Sequence, residues 1–122
     1  MAGVLVAISI PIFTTQLEKS RDAVSVANIR AAYAQAQADV LVGSAGDNVT
    51  FTTYDPSTGD GTVTVTGVAF KGTKADKFSG LAAQLPFNNV TGFDAEPTAT
   101  DTGKVVFTYT DQVITGVSYS EA

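Results

Sequence analysis

Hydrophobic and polar positions divide the chain into a helical part and a β-rich part. Up to residue 42, apolar residues recur at spacings of three and four, and residues 12–42 contain neither glycine nor proline. This pattern predicts one long α-helix, which the glycine-containing segment at residues 43–46 would end. Downstream, threonine, valine and aromatic residues alternate over short stretches, which is typical of β-strands.

Four segments of the second part are predicted to be strands, at residues 49–54, 62–70, 104–110 and 112–120. The last two are close enough to form a hairpin that turns near Asp111. A short helix is predicted within residues 75–85, and a loop at residues 86–103. The predicted fold class is α+β, with a long N-terminal α-helix (residues 1–42) packed on a small antiparallel β-sheet in a β-rich head (residues 43–122).

The predicted helix has two apolar faces, although packing on a sheet requires only one. The face with the bulkier residues is expected to pack on the sheet, and it contains Val26, Ile29, Tyr33 and Val40. The other face has small residues that let a second helix approach closely, so we expect it to contact a partner molecule. This partner face contains Val24, Ala27, Ala31, Ala34, Ala38 and Leu41. An alternative is that the alanines are simply good helix formers on a solvated face.

Residues 1–13 are apolar around the whole circumference of the predicted helix. Spanning a bilayer takes about 20 apolar residues, and this segment is shorter. Met1 and Ala2, at its start, are not basic, whereas a secretory signal peptide begins with basic residues. Pro11 is expected to kink the helix, because it removes a backbone hydrogen bond and clashes with the preceding turn.

Composition narrows the possible chemistry of this single domain of 122 residues. The chain has no cysteine and no histidine, so disulfides, zinc–thiolate sites and histidine general bases are absent. Its net charge of −5 argues against a nucleic-acid partner. No nucleophile is paired with a base, so we expect a protein that is not an enzyme and has no catalytic, cofactor or metal site.

Acidic residues of the β-rich part receive ordinary structural interpretations. Residues 55–61 have the Asp and Gly of a calcium loop but lack the alternating ligands and terminal Glu of an EF-hand, so a turn is predicted. Residues 75–78 (ADKF) and the acidic residues Asp94, Glu96 and Asp101 are predicted to be solvated loop positions, with contacts to neighbouring subunits or host surfaces as the alternative.

Three stretches of the helical part together resemble a known family. Residues 3–13 read GVLVAISIPIF, an amphipathic stretch begins LEKSR at residue 17, and residues 27–34 read ANIRAAYA. These stretches resemble the N-terminal helix of type IV pilins, and the third resembles pilins of Gram-positive bacteria in particular. The resemblance covers the helical part of the chain, whereas the β-rich part is similar only in its general layout.

The resemblance implies a structural subunit that polymerises through its N-terminal helix into a type IV pilus, a surface filament for adhesion or motility. Its partners would be other copies of the subunit, and the full-length protein would be anchored in the cytoplasmic membrane before assembly into the extracellular fibre. The residues that would pack in the membrane and in the filament core are Val4, Leu5, Val6, Ile8, Ile10, Pro11, Ile12, Phe13 and Leu17.

The chain departs from the pilin pattern at its start. It lacks the basic leader and the glutamate-containing head of the family, so we expect a shortened protein in which Met1, or Met1 with Ala2, is non-native. The alternative is a sequence whose start is assigned too late within its gene. Two other functions remain open. One is a pseudopilin of a competence or type II secretion system, and the other is a soluble β-sheet binding module whose helix only packs on its own sheet.

Overall fold

The computed structural model describes residues 2–73, 76–97 and 100–120, and the side chains of residues 16–73, 76–97 and 102–120. Within these residues, helix α1 (Ala2–Val42) precedes four strands, β1 (Val49–Phe51), β2 (Gly61–Phe70), β3 (Thr100–Thr110) and β4 (Val113–Ser120). A 3₁₀ segment, Phe78–Gln84, lies between β2 and β3. The predicted α+β class, with one N-terminal helix and an antiparallel sheet, is confirmed.

The sheet is a meander in the order β1-β2-β3-β4, and every neighbouring pair is antiparallel. The predicted hairpin near Asp111 is confirmed, because Thr110 pairs with Val113 across a two-residue turn. Both turn residues, Asp111 and Gln112, have positive φ values, 53° and 66°. Two such residues make the turn whose twist matches that of the flanking strands.

Three elements differ from the prediction by more than one end residue. β1 ends at Phe51 rather than at residue 54, because the chain bends and the Tyr54 ring enters the core, 5.5 Å from the Tyr109 ring. β3 begins at Thr100, inside the predicted loop, because its first residues pair with the end of β2. The short helix predicted at residues 75–85 is the 3₁₀ segment, which left-handed residues Ser79 and Gly80 interrupt.

The hydrophobic core lies between α1 and one face of the sheet. Alternation along the strands puts valine and aromatic side chains on this face. The buried core residues of the helix and the two central strands are Val26, Ile29, Ala32, Ala36, Val40, Val63, Val65, Val68, Phe70, Val105, Phe107 and Tyr109. The buried Tyr109 hydroxyl donates a 2.6 Å hydrogen bond to Oε1 of Gln37, which satisfies the one polar group that this ring brings into the core.

Polar contacts fix the helix against the C-terminal end of β2. Asn28 donates from Nδ2 to the carbonyl of Ala69 at 2.9 Å. The hydroxyl of Ser25 accepts from the N–H of Lys71 at 2.7 Å. These bonds place the segment after β2 directly beside the first described side chains of α1.

Candidate functional site

The partner face predicted on α1 is exposed in the structure. All six of its residues, Val24, Ala27, Ala31, Ala34, Ala38 and Leu41, are exposed, and Leu41 is 88% exposed. Val24 is 48% exposed, and Val42, which follows Leu41 in the sequence, is 76% exposed. Both are also large apolar side chains in contact with solvent. The result is a ridge of small residues with a larger apolar residue at each end.

The opposite side of α1 faces the sheet. Val26, Ile29 and Val40 are buried in the core, and Tyr33 packs at its edge. The Tyr33 ring lies 5.5 Å from the Phe87 ring. Helix residues that contact the sheet and helix residues that form the exposed ridge are therefore different sets.

The N-terminal apolar segment is described only as backbone. α1 includes the residues on both sides of Pro11, and the kink there stays a prediction. The side chains of Val4, Leu5, Val6, Ile8, Ile10, Pro11, Ile12 and Phe13 lie outside those that the structure describes. Leu17 is partly exposed and lines a shallow groove with Arg21, Val24 and Lys71. Within the described residues, no helix combines the length and apolarity needed to cross a membrane.

A second feature, which we call the carboxylate cluster, consists of Glu18, Asp22, Asp76 and Glu96. One oxygen from each of these residues lies within 4.8 Å of the others. Glu18 and Asp22 lie on consecutive turns of α1, Asp76 precedes the 3₁₀ segment, and Glu96 precedes β3. Asp22 is 0% exposed, Glu18 6% and Glu96 8%, whereas Asp76 is at the surface. Three segments of the chain therefore bring acidic side chains to one point.

Hydrogen-bond donors hold the carboxylates in place. Ser79 donates from its hydroxyl to Oδ2 of Asp22 at 2.5 Å. The N–H of Phe78 donates to Oε1 of Glu96 at 2.6 Å. Thr73 donates to Glu18 from its hydroxyl at 2.7 Å and from its N–H at 3.0 Å. Each of the three buried carboxylates is thus oriented by a residue of the segment after β2.

The opposite oxygens of two of these carboxylates have no donor outside the cluster. Oδ1 of Asp22 and Oε2 of Glu96 are buried and accept no hydrogen bond from any described backbone group or non-acidic side chain, so the donor within reach is a protonated carboxyl of the cluster. Burial, followed by a hydrogen bond with the Asp22 carboxyl, raises the pKa of Glu96 from 4.5 to about 8. The pKa of Asp22 is also raised, chiefly by burial. Two facing carboxylate oxygens repel each other, so either a proton or a cation must lie between them.

The prediction that Glu96 is a solvated loop charge is wrong, since Glu96 is buried. Only a weak, local pattern in the sequence indicates the carboxylate cluster. Glu18 and Asp22 are four residues apart and so fall on one helix face, where like charges repel. Nothing in the sequence shows that Glu96 folds back against that face. Asp94, in contrast, is partly exposed beside Lys77, with Oδ2 at 3.8 Å from Nζ. Asp101 has no described side chain.

Residues 55–61 form the predicted turn. Oδ1 of Asp55 accepts from the N–H of Ser57 at 2.9 Å and from its hydroxyl at 2.7 Å. These two hydrogen bonds hold the pKa of Asp55 below its usual range, and the bond from the Ser57 hydroxyl has the larger effect. The carboxylate therefore closes its own turn, as Asp commonly does.

The chain matches no family model, and no curated protein or solved structure matches it.

Proposed function

We propose that this protein is a structural subunit of a type IV pilus, which polymerises through its N-terminal helix. The observation that supports this proposal is the exposed ridge on α1, which is separate from the face that packs on the sheet. The ridge extends from Val24 to Leu41, a length of about 26 Å at 1.5 Å per residue. Residues 3–13 and 27–34 resemble pilin helices, and this resemblance indicates that the partner of the ridge is a second copy of the same helix.

In the proposed assembly, α1 helices lie side by side at the centre of the filament. Small side chains at Ala27, Ala31, Ala34 and Ala38 let two helix backbones approach closely, which increases the dispersion contacts between them. The sheet, on the other side of α1, would then lie outside the helical bundle. The proposed role is mechanical and depends on no catalytic group.

The proposed location follows from this assembly. Before assembly the protein would be anchored in the cytoplasmic membrane with its apolar N-terminal residues in lipid, and after assembly it would lie in an extracellular fibre at the cell surface. The same apolar residues would exchange lipid for neighbouring helices, so the segment is buried in both states. Adhesion or motility would be properties of the whole filament.

The test is a charge substitution on the ridge, with a matched control. Ala34→Glu places a charge on the ridge, whereas Gln35→Glu places the same charge on the adjacent exposed position. Both positions are exposed, so both variants should fold as the parent does. In the native host, we expect Ala34→Glu to abolish filaments in electron micrographs and Gln35→Glu to retain them. Normal filaments from Ala34→Glu would refute polymerisation through the ridge, whereas a parent protein that enters no filament would favour a binding module whose helix only packs on its sheet.

A further inference from the structure

We propose that the carboxylate cluster binds one calcium ion. The proposal is independent of filament assembly, because it concerns groups that converge within one copy of the chain. Its starting point is a pair of buried oxygens, Oδ1 of Asp22 and Oε2 of Glu96, that have no donor outside the carboxylate cluster. An acidic group at the surface has water as a partner, but these two oxygens are shielded from solvent and face other acids.

The dimensions of the carboxylate cluster fit a single ion. Calcium–oxygen distances are about 2.3–2.6 Å, so two ligands on opposite sides of one ion are separated by about 4.6–5.2 Å. Four carboxylate oxygens that all lie within 4.8 Å of one another meet this limit. They could therefore bind the same ion without a large rearrangement of the backbone.

The orientation of the side chains also fits a metal site. In Asp22, Oδ2 accepts from Ser79, which leaves Oδ1 directed into the cluster. In Glu96, Oε1 accepts from Phe78, which leaves Oε2 directed into the cluster. Metal ligands in proteins are commonly held in this way, with one atom fixed by a donor and the other on the ion.

Gly72 keeps the centre of the cluster open. A Cβ atom placed on Gly72 would overlap Oδ1 of Asp22 and Oε2 of Glu96, and it would lie 3.1 Å from Oε2 of Glu18. The φ angle of Gly72 is not in the left-handed region, so its backbone does not require glycine. Glycine is therefore needed here for space, at the point where three carboxylate oxygens converge.

The ligand set favours calcium over other cations and over a shared proton. All the ligands are hard oxygen atoms, which disfavours copper and zinc, and magnesium requires near-ideal octahedral geometry with several waters. One proton can bridge the Asp22–Glu96 pair, but it neutralises only one charge among the four carboxylates of the cluster, of which Glu18 also has Nη1 of Arg21 at 4.0 Å from its Oε1. A divalent ion neutralises more of that charge, and it would clamp α1 to the two segments that carry the other ligands.

The test uses the whole chain, treated with a chelator and then titrated with calcium chloride at about pH 7.5 by isothermal calorimetry. We expect one ion per chain, with a Kd on the order of 0.1–1 mM, as in extracellular calcium modules. Thermal unfolding should shift upward by on the order of 5 °C at about 10 mM calcium, because the ion binds only the folded state. Magnesium chloride at the same concentration should give a clearly smaller shift.

Three variants and one control locate the ion. Asp22→Asn and Glu96→Gln keep the side-chain shape but remove a charged ligand, and Gly72→Ala fills the centre. Each should weaken calcium binding at least tenfold. The first two also relieve repulsion, so they should fold without calcium, as circular dichroism would show. Asp47→Asn removes an exposed carboxylate elsewhere and should bind as the parent does.

Three results would overturn the proposal. The first is a parent chain that shows neither calcium heat nor a thermal shift, in which case a shared proton explains the facing oxygens. The second is magnesium binding as tight as calcium binding. The third is full calcium binding by both Asp22→Asn and Glu96→Gln, which would place the ion elsewhere.

Discussion

The hydroxyl of Ser79 donates a 2.5 Å hydrogen bond to Oδ2 of Asp22, and this bond joins residues 57 positions apart. Ser79 is held for this contact in a left-handed conformation, with φ at 55°, as are its neighbours Lys77 and Phe78. Such conformations are unfavourable for residues other than glycine, so tertiary contacts must stabilise them. The bond to Asp22 is one of these contacts.

Ser79→Ala should therefore destabilise the fold. The substitution leaves Oδ2 of the buried Asp22 without its 2.5 Å donor, at an expected cost of about 1–3 kcal/mol in the free energy of unfolding. Urea denaturation measures the change. Ser118→Ala is the control, because Ser118 is exposed on β4, and it should change stability by less than about 0.5 kcal/mol. Equal stability of the two variants would contradict a structural role for the bond.

Without divalent cations, the stability of the protein should fall as pH rises. The pKa of Glu96 is raised to about 8 in the folded protein, chiefly by burial and next by the hydrogen bond with Asp22. The acidic groups beside it are Glu18 and Asp22 on α1 and Asp76 before the 3₁₀ segment. The unfolded chain releases the Glu96 proton near pH 4.5, whereas the folded chain keeps it to about pH 8. The free energy of unfolding should decrease between these values and level off above them.

Urea denaturation in a chelator, across this range, measures that slope. Glu96→Gln is the matched control, because it cannot titrate, and its slope should be clearly smaller than that of the parent. A parent stability that rises with pH across the same window would show that the carboxyl group of Glu96 is not held protonated.

The two faces of α1 should differ sharply in their tolerance of truncation. Ile29 is 0% exposed, so Ile29→Ala leaves a cavity and should cost about 2–5 kcal/mol. Leu41→Ala is the same kind of truncation on the ridge. Because Leu41 is 88% exposed, this variant should change the free energy of unfolding by less than about 0.5 kcal/mol. Chemical denaturation of the monomeric chain distinguishes them. Similar losses of stability in the two variants would contradict an orientation of α1 in which Ile29 faces the sheet and Leu41 faces solvent.

The helix and most of the sheet could be predicted because their signals are local. Apolar spacing on α1 separates Ile29 from Ala31, and the structure buries the first and exposes the second. Alternation similarly predicts β2 and β4 to within a residue at each end. The start of β3 at Thr100 could not be predicted, because residues 100–102 carry no apolar alternation and Thr100 pairs only because Phe70, at the end of β2, is beside it.

The carboxylate cluster could not be predicted, because its signal is spread over three segments. Glu18 and Asp22 share a helix face, but their burial depends on a segment that returns beside them after residue 70. Glu96 lies in a stretch without periodicity, and its burial depends on N–H donors of the left-handed turn at Phe78. Long-range contacts of this kind leave no pattern in a single sequence.

The central claim is that the ridge on α1 contacts other copies of this chain, and cysteine crosslinking in the native host tests it most directly. Because the chain has no cysteine of its own, each introduced thiol is unique. Ala31→Cys lies on the ridge, and Thr108→Cys lies exposed on β3, on the side of the sheet away from the helix. We predict that a short bis-maleimide joins Ala31→Cys subunits into dimers within sheared surface filaments and leaves Thr108→Cys monomeric. Filaments in which Ala31→Cys stays monomeric, or a protein that never enters filaments, would contradict the account.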